Sequence, residues 1–142
     1  MDSSAAFTRE AATAMWHSST FGNNPLAATA ASMAIEITVR DRLSERSARL
    51  GADLLRRLRS LQAKHPKVIT EVRGKGLLIG IEMKSEAAGA ALAERLYAKR
   101  ILVAYALNKP EVVRIEPPLN IPEDLLDRLV AALDESLAGL AA

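Results

Sequence analysis

The spacing of apolar positions changes along the chain, and each change predicts an element. Leu26, Met33, Ile37 and Arg40 fall at helical spacing in an alanine-rich run from Leu26 to Val39. Pro25 suits the first turn of that helix, with Asn23 or Asn24 as its cap. Leu43, Ser47, Leu50, Leu54, Leu58 and Leu61 share one face of a second helix, from Asp41 or Ser44 to Lys64. Pro66 closes it, and the period then drops to that of a strand. Val68–Val72 and the alternating Leu77, Ile79, Ile81 and Met83 predict two strands, joined by Arg73-Gly74-Lys75-Gly76 as a hairpin turn. Ser85 caps a helix reaching Arg100, with Leu92, Ala93 and Leu96 facing inward. Ile101–Ala106 and Val112–Ile115 read as two short strands, stopped by Pro117-Pro118. A last helix opens at Ile121–Asp124 with acids in its first turn, and buries Leu125, Leu129, Leu133 and Leu137.

This succession predicts an α+β fold, a small and largely antiparallel sheet covered on one face by helices. A chain of 142 residues is one domain by size and has enough surface to bury a core. Residues 1–17 are polar and alanine-rich, with Phe7 and Trp16 as their only large anchors, and read as the remnant of a preceding segment. Residues 18–142 form the domain itself.

Composition narrows the chemistry. The chain has no cysteine, which removes disulfides, thiolate nucleophiles and Cys-ligated zinc together. Its two histidines, His17 and His65, show no metal-ligand spacing and no local triad partners, so no metal is expected. No apolar run approaches the ~20 residues of a membrane span, and no signal-peptide pattern is visible, so a cytoplasmic setting without membrane contact is expected. Charge is uneven: nine basic and three acidic residues lie between Arg40 and Lys67, against six acidic and one basic from Glu116 to Glu135. The first stretch is either a polyanion patch or the wet face of an amphipathic helix. The regular apolar spacing beneath it favours the wet face. With 4% aromatic residues there is little for base stacking, and no nucleic-acid partner is expected.

Gly74-Lys75-Gly76-Leu77-Leu78-Ile79-Gly80 has the spacing GxGxxxG, but strand residues follow where a dinucleotide fingerprint needs a helix. These glycines are read as turn geometry. The loop His17-Ser18-Ser19-Thr20-Phe21-Gly22-Asn23-Asn24-Pro25-Leu26 is richer, with hydroxyl donors and a glycine just before a helix start. That combination suits a phosphate dianion, and it suits plain helix capping equally well.

The same string resembles the H-x-S-T-[FY]-G-[GN]-N-P-L segment of class III pyridoxal-phosphate aminotransferases, the group of ornithine, acetylornithine, 4-aminobutyrate and putrescine enzymes. Three further stretches match that family in order: the helical run with Gly51, the segment Glu71–Gly80, and Val113-Arg114-Ile115-Glu116-Pro117-Pro118-Leu119. The resemblance runs from His17 onward, and it implies the small C-terminal domain of fold-type I enzymes. It implies that Ser19 and Thr20 hold the phosphate of pyridoxal 5′-phosphate, serving a neighbouring subunit across a dimer interface. It implies that Arg114 grips a substrate carboxylate. Read without the family, Arg114 is a strand-end arginine paired with Glu116 or Glu111, and Arg73 is structural.

The family's Schiff-base lysine lies upstream of the Ser-Thr-Phe-Gly loop, whereas here no lysine precedes Lys64. No catalytic residue is therefore assigned, and the chain alone is expected to be inactive. The resemblance implies a part of an enzyme, active as a complete chain, that moves an amino group from an amine or amino acid to a 2-oxo acid. Its partners would be a second copy or a large aminotransferase domain. The Arg-Ile-Glu-Pro-Pro-Leu form resembles the putrescine branch, which implies a diamine or ω-amino donor. A non-catalytic dimerisation module derived from the same fold is the alternative.

Overall fold

The computed structural model describes residues 22, 24–106 and 108–141. Helix α1 spans Pro25–Arg40. Asn24 caps it, its side-chain oxygen accepting the Leu26 N–H at 3.0 Å. None of its residues is buried, and Leu26, Ile35 and Val39 are 79%, 66% and 71% exposed. The chain divides into two units between Thr38 and Val39.

The second unit carries α2 (Leu43–Lys64), β1 (Ile69–Lys75), β2 (Leu78–Met83) and α3 (Glu86–Ala98). It continues through β3 (Ala104–Ala106), β4 (Lys109–Ile115) and α4 (Glu123–Ala141). The strands form one sheet in the order β1-β2-β4-β3, and every neighbouring pair is antiparallel. The fold is thus α+β, as the periodicity implied. Among the described residues no helix is long and apolar enough to cross a membrane.

Register fixes the two faces of the sheet. Val72, Ile81 and Val113 pair in one row, and Ile79 pairs with Ile115 in another. With Met83 they bury against Leu54 and Leu58 of α2, Leu92 and Leu96 of α3, and Leu133 and Leu137 of α4. Each such side chain contributes about 1.5–3 kcal/mol by leaving water. The alternate positions Glu71, Arg73, Gly80, Glu82 and Arg114 fall on the other face, which is mostly charged.

Several expectations change in detail. The strand expected over Ile101–Ala106 forms only over Ala104–Ala106, and the one expected from Val112 begins at Lys109. Arg73, Gly74 and Lys75 are strand rather than turn, because Lys75 still pairs with Leu78. The turn shrinks to Gly76-Leu77, with Gly76 at φ +57°, a conformation glycine adopts without strain. In α4 the buried face begins at Leu126 and continues through Leu129, Leu133 and Leu137, while Leu125 is 41% exposed. One residue is about 100° of helix, so a leucine pair at the start left the choice to packing. Finally, α3 ends at Ala98, two residues short of Arg100. Its start is as expected, with Ser85 accepting the Ala88 N–H at 3.2 Å.

The basic stretch on α2 meets the acidic stretch on α4. Arg49 lies 2.8 Å from Glu123, Arg57 2.8 Å from Asp127, and Lys64 and His65 each 2.7 Å from Asp134. Residue numbers rise together along this seam, so the two helices run in the same direction. The basic stretch is thus a solvated face, as expected, and along one side of it Arg46, Arg49, Arg57 and Lys64 pair with acids of α4. Buried His65 caps it from the C-terminus of α2.

Candidate functional site

Strand β4 places Arg114 on the charged face of the sheet, in register with Gly80 of β2 on one side and Ala104 of β3 on the other. Gly80 is itself opposite Arg73 of β1. Two arginines therefore flank a position with no side chain, in one row across three strands.

Their surroundings differ. Arg73 is held by two carboxylates, Glu71 and Glu82, each 2.6 Å away. Glu82 is shared with Lys109, also at 2.6 Å. Lys109 and then Arg73 hold the Glu82 carboxyl below its ordinary pKa. Glu82 in turn raises the Arg73 guanidinium further. Arg73 is thus neutralised within the sheet, which fits a structural role. Arg114 has one acid, Glu116, with Nε 3.1 Å from the carboxylate oxygen and both side chains about two-fifths exposed (42% and 40%). That contact is outside hydrogen-bond alignment, because the buried Nε has no hydrogen-bond partner among the described residues.

Of the two acids considered for Arg114, the structure selects Glu116. Glu111 lies instead 3.9 Å from Lys109. Glu116 also lines a hollow of about 250 Å³ with Ser47, Lys75, Leu78 and Leu119. Glu116 thus stands between Arg114, which it contacts, and a hollow that Lys75 also lines. Chemically, a guanidinium with a single misaligned partner can accept a carboxylate through its planar fork. Ser19 and Thr20 lie outside the described residues, so the structure neither joins them to Arg114 nor separates them. Glu82 and Lys109 were not singled out by sequence. Their roles follow from register, which a period-two pattern alone leaves open.

Among the described residues no cluster of histidine and carboxylate side chains could hold a metal ion. The described lysines give no enclosed amine. Lys64, Lys99 and Lys109 lie 2.7, 2.8 and 2.6 Å from carboxylates, and Lys67, Lys75 and Lys84 are exposed.

The chain is similar to known proteins. A family model described as aminotransferase class-III matches residues 1–137. A putrescine aminotransferase of Pectobacterium atrosepticum is 40% identical over 124 residues, covering 87% of this chain and 26% of the relative. Two solved structures share the fold. The acetylornithine aminotransferase of Elizabethkingia anophelis gives a TM-score of 0.76 at 32% identity, over 87% of this chain and 31% of that one. The ornithine δ-aminotransferase of Plasmodium falciparum gives 0.76 at 30% identity, over 88% and 31%. The chain spans about a quarter of the length of the curated relative it matches.

Proposed function

We infer the function from one premise, that the chain belongs to the class III aminotransferases. We propose that it supplies the substrate-binding arginine and the phosphate-binding hydroxyls of an enzyme moving an amino group from an amine or amino acid to a 2-oxo acid. The family depends on pyridoxal 5′-phosphate, which supplies the electron sink for the transfer. The described residues alone do not fit that group, since every described lysine is exposed or paired with a carboxylate. Ser19 and Thr20 are the proposed phosphate contacts, by their match to the family's loop. Complete activity, in this reading, belongs to a longer cytoplasmic assembly, a homodimer or an association with a large domain.

The observation that carries the proposal is the contrast between Arg73 and Arg114. Arg73 is satisfied inside the sheet. Arg114 carries one misaligned carboxylate at Nε, and in this reading its fork takes the 2-oxo acid. Glu116 stands in for the substrate carboxylate when none is bound, and it moderates the local charge. That moderation favours a cationic donor, so a diamine or ω-amino compound is the proposed donor and 2-oxoglutarate the proposed acceptor.

A chimera tests this reading. The matching stretch of the Pectobacterium enzyme is replaced by this chain, and transfer to 2-oxoglutarate is measured. Activity that falls in Arg114→Gln supports the proposal. A folded chimera that retains the cofactor but transfers nothing overturns it.

A second reading, a non-catalytic dimerisation module, draws on α1. Its Leu26, Ile35 and Val39 are exposed on a helix with only two charged residues, Glu36 and Arg40. A helix apolar on so much of its circumference is built to be covered.

A further inference from the structure

Helix α3 ends in a motif that glycine usually completes. The Arg100 N–H donates to the Tyr97 carbonyl at 2.8 Å, and the Ile101 N–H to that of Leu96 at 2.9 Å. These are the paired bonds that close a helix on a left-handed residue. That residue is Arg100, at φ +60°. Glycine takes this conformation freely, whereas a side chain is strained in it. Helix closure alone would favour glycine, so the arginine is explained by what its side chain lines. That is a hollow of about 290 Å³ shared by the end of α3, the close of β4 and the start of α4. Nine of its twelve lining residues are apolar, and the other three are Arg100, Arg128 and Glu116. Ile115 and Leu129 are buried in it, while Leu102 and Leu125, at 82% and 41% exposure, stand where it opens. Arg128 donates from Nη2 to the Lys99 carbonyl at 2.8 Å, which sets its guanidinium beside the backbone of Arg100. Neither arginine is ion-paired among the described residues. The neighbouring acids are engaged elsewhere, Asp127 with Arg57 and Glu116 with Arg114. Asp124, one helical turn before Arg128, is exposed and outside ion-pair distance.

We propose that this hollow binds a small amphiphile with one carboxylate, a medium-chain aliphatic acid. Its chain lies on Ile115 and Leu129, and its carboxylate lies between Arg100 and Arg128. Charge sets the sign of the ligand, since two guanidiniums without an acid stand against one carboxylate that already touches Arg114. Each guanidinium offers a planar fork of donors to a carboxylate. Shape sets the rest. A largely apolar hollow of this size, with a few convergent polar groups, suits a compact apolar body with one polar end. A dicarboxylate such as 2-oxoglutarate would have to bury its second charge among apolar side chains, which is costly. The site is therefore separate from the role proposed for Arg114.

Octanoate titrated into the isotope-labelled 142-residue chain should give saturable amide shifts at Ile101–Val103 and Ile121–Leu129. It should bind about tenfold more tightly than 1-octanol, which has the same chain length and no charge. Excess 2-oxoglutarate should not displace it. Arg100→Gly is the discriminating variant, because it keeps the left-handed helix end and removes only the side chain. It should unfold in urea no earlier than the parent, yet bind octanoate about tenfold more weakly. Arg128→Gln should weaken binding by a similar factor. The proposal is overturned if octanoate gives no saturable shifts, if 1-octanol binds as tightly, or if either variant binds as well as the parent. Displacement by 2-oxoglutarate would also overturn it, by making the hollow a dicarboxylate site. None of these measurements involves cofactor or amino transfer, so their failure leaves the aminotransferase reading untouched.

Discussion

Gly51 of α2 packs directly on the backbone of Gly76 in the β1–β2 turn, with no room for a side chain between them. A Cβ on Gly51 would overlap the Gly76 carbonyl, and a Cβ on Gly76 would lie 2.6 Å from Ser47 Oγ. Ser47 holds the same turn by accepting the Leu77 N–H at 3.1 Å. Helix and hairpin are thereby locked at the point where the chain reverses.

Gly51→Ala should therefore destabilise the domain, although alanine favours a helix by up to about 1 kcal/mol over glycine. Overpacking against backbone costs about 1–3 kcal/mol, and backbone gives way less readily than a side chain. Urea unfolding of the two proteins decides the sign. A more stable variant would mean that α2 can shift away from the turn without loss.

Arg114→Gln, placed in a complete aminotransferase chain, should damage the 2-oxoglutarate half-reaction more than the amine half-reaction. Losing charge-assisted hydrogen bonds costs about 1.5–3 kcal/mol, roughly 10- to 150-fold. Single-turnover kinetics on the two cofactor forms separates the effects. Equal losses would make Arg114 a structural partner of Glu116 and nothing more.

Borohydride reduction of the 142-residue chain after incubation with pyridoxal 5′-phosphate should leave no stoichiometric pyridoxyl-lysine adduct. The described lysines are exposed or ion-paired, so none sits in an enclosed site that would hold an aldimine against water. Mass spectrometry locates any adduct, and one lysine modified to completion would contradict the expectation.

Acid should weaken the α2–α4 seam. His65 and then Lys64 hold the Asp134 carboxyl below its ordinary pKa, and Arg49 does the same for Glu123. A carboxylate whose pKa is depressed by folding adds stability above its unfolded value, about 3.9 for aspartate, and that stability is lost as pH falls through the lower folded value. Asp134→Asn should therefore be less stable than the parent at neutral pH, with the difference shrinking towards strong acid. Denaturation midpoints from pH 2 to pH 7 test this. A constant difference across that range would show that the loss is packing and not charge.

The sequence made the helices and the core face legible because their periods are long and regular. Leu50, Leu54, Leu58 and Leu61 are buried as their spacing implied. What it could not fix was set by contacts distant in sequence. Leu126 rather than Leu125 turns inward because α3 and α2, the helices it packs against, decide the rotation of α4. Arg73 and Arg114 share a row only through the pairing of three strands, and each looks alike as a strand arginine. Family motifs pointed to Arg114, while its single misaligned partner became visible only in space. The meeting of the basic and acidic stretches is likewise a tertiary fact, since nothing in either stretch names the other.

That meeting has a consequence for the order in which the protein is made. Lys64 and its partner Asp134 are separated by 70 residues. At about 5–20 residues per second, translation leaves roughly 4–14 s between them. During that interval the cationic side of α2 is outside the ribosome, or nearly so, before its acids exist. Until then Arg49, Arg57 and Lys64 lack the carboxylates that pair with them in the folded domain. Synthesis of α4 then supplies Glu123, Asp127 and Asp134, so the seam can close only after all four strands of the sheet have been made.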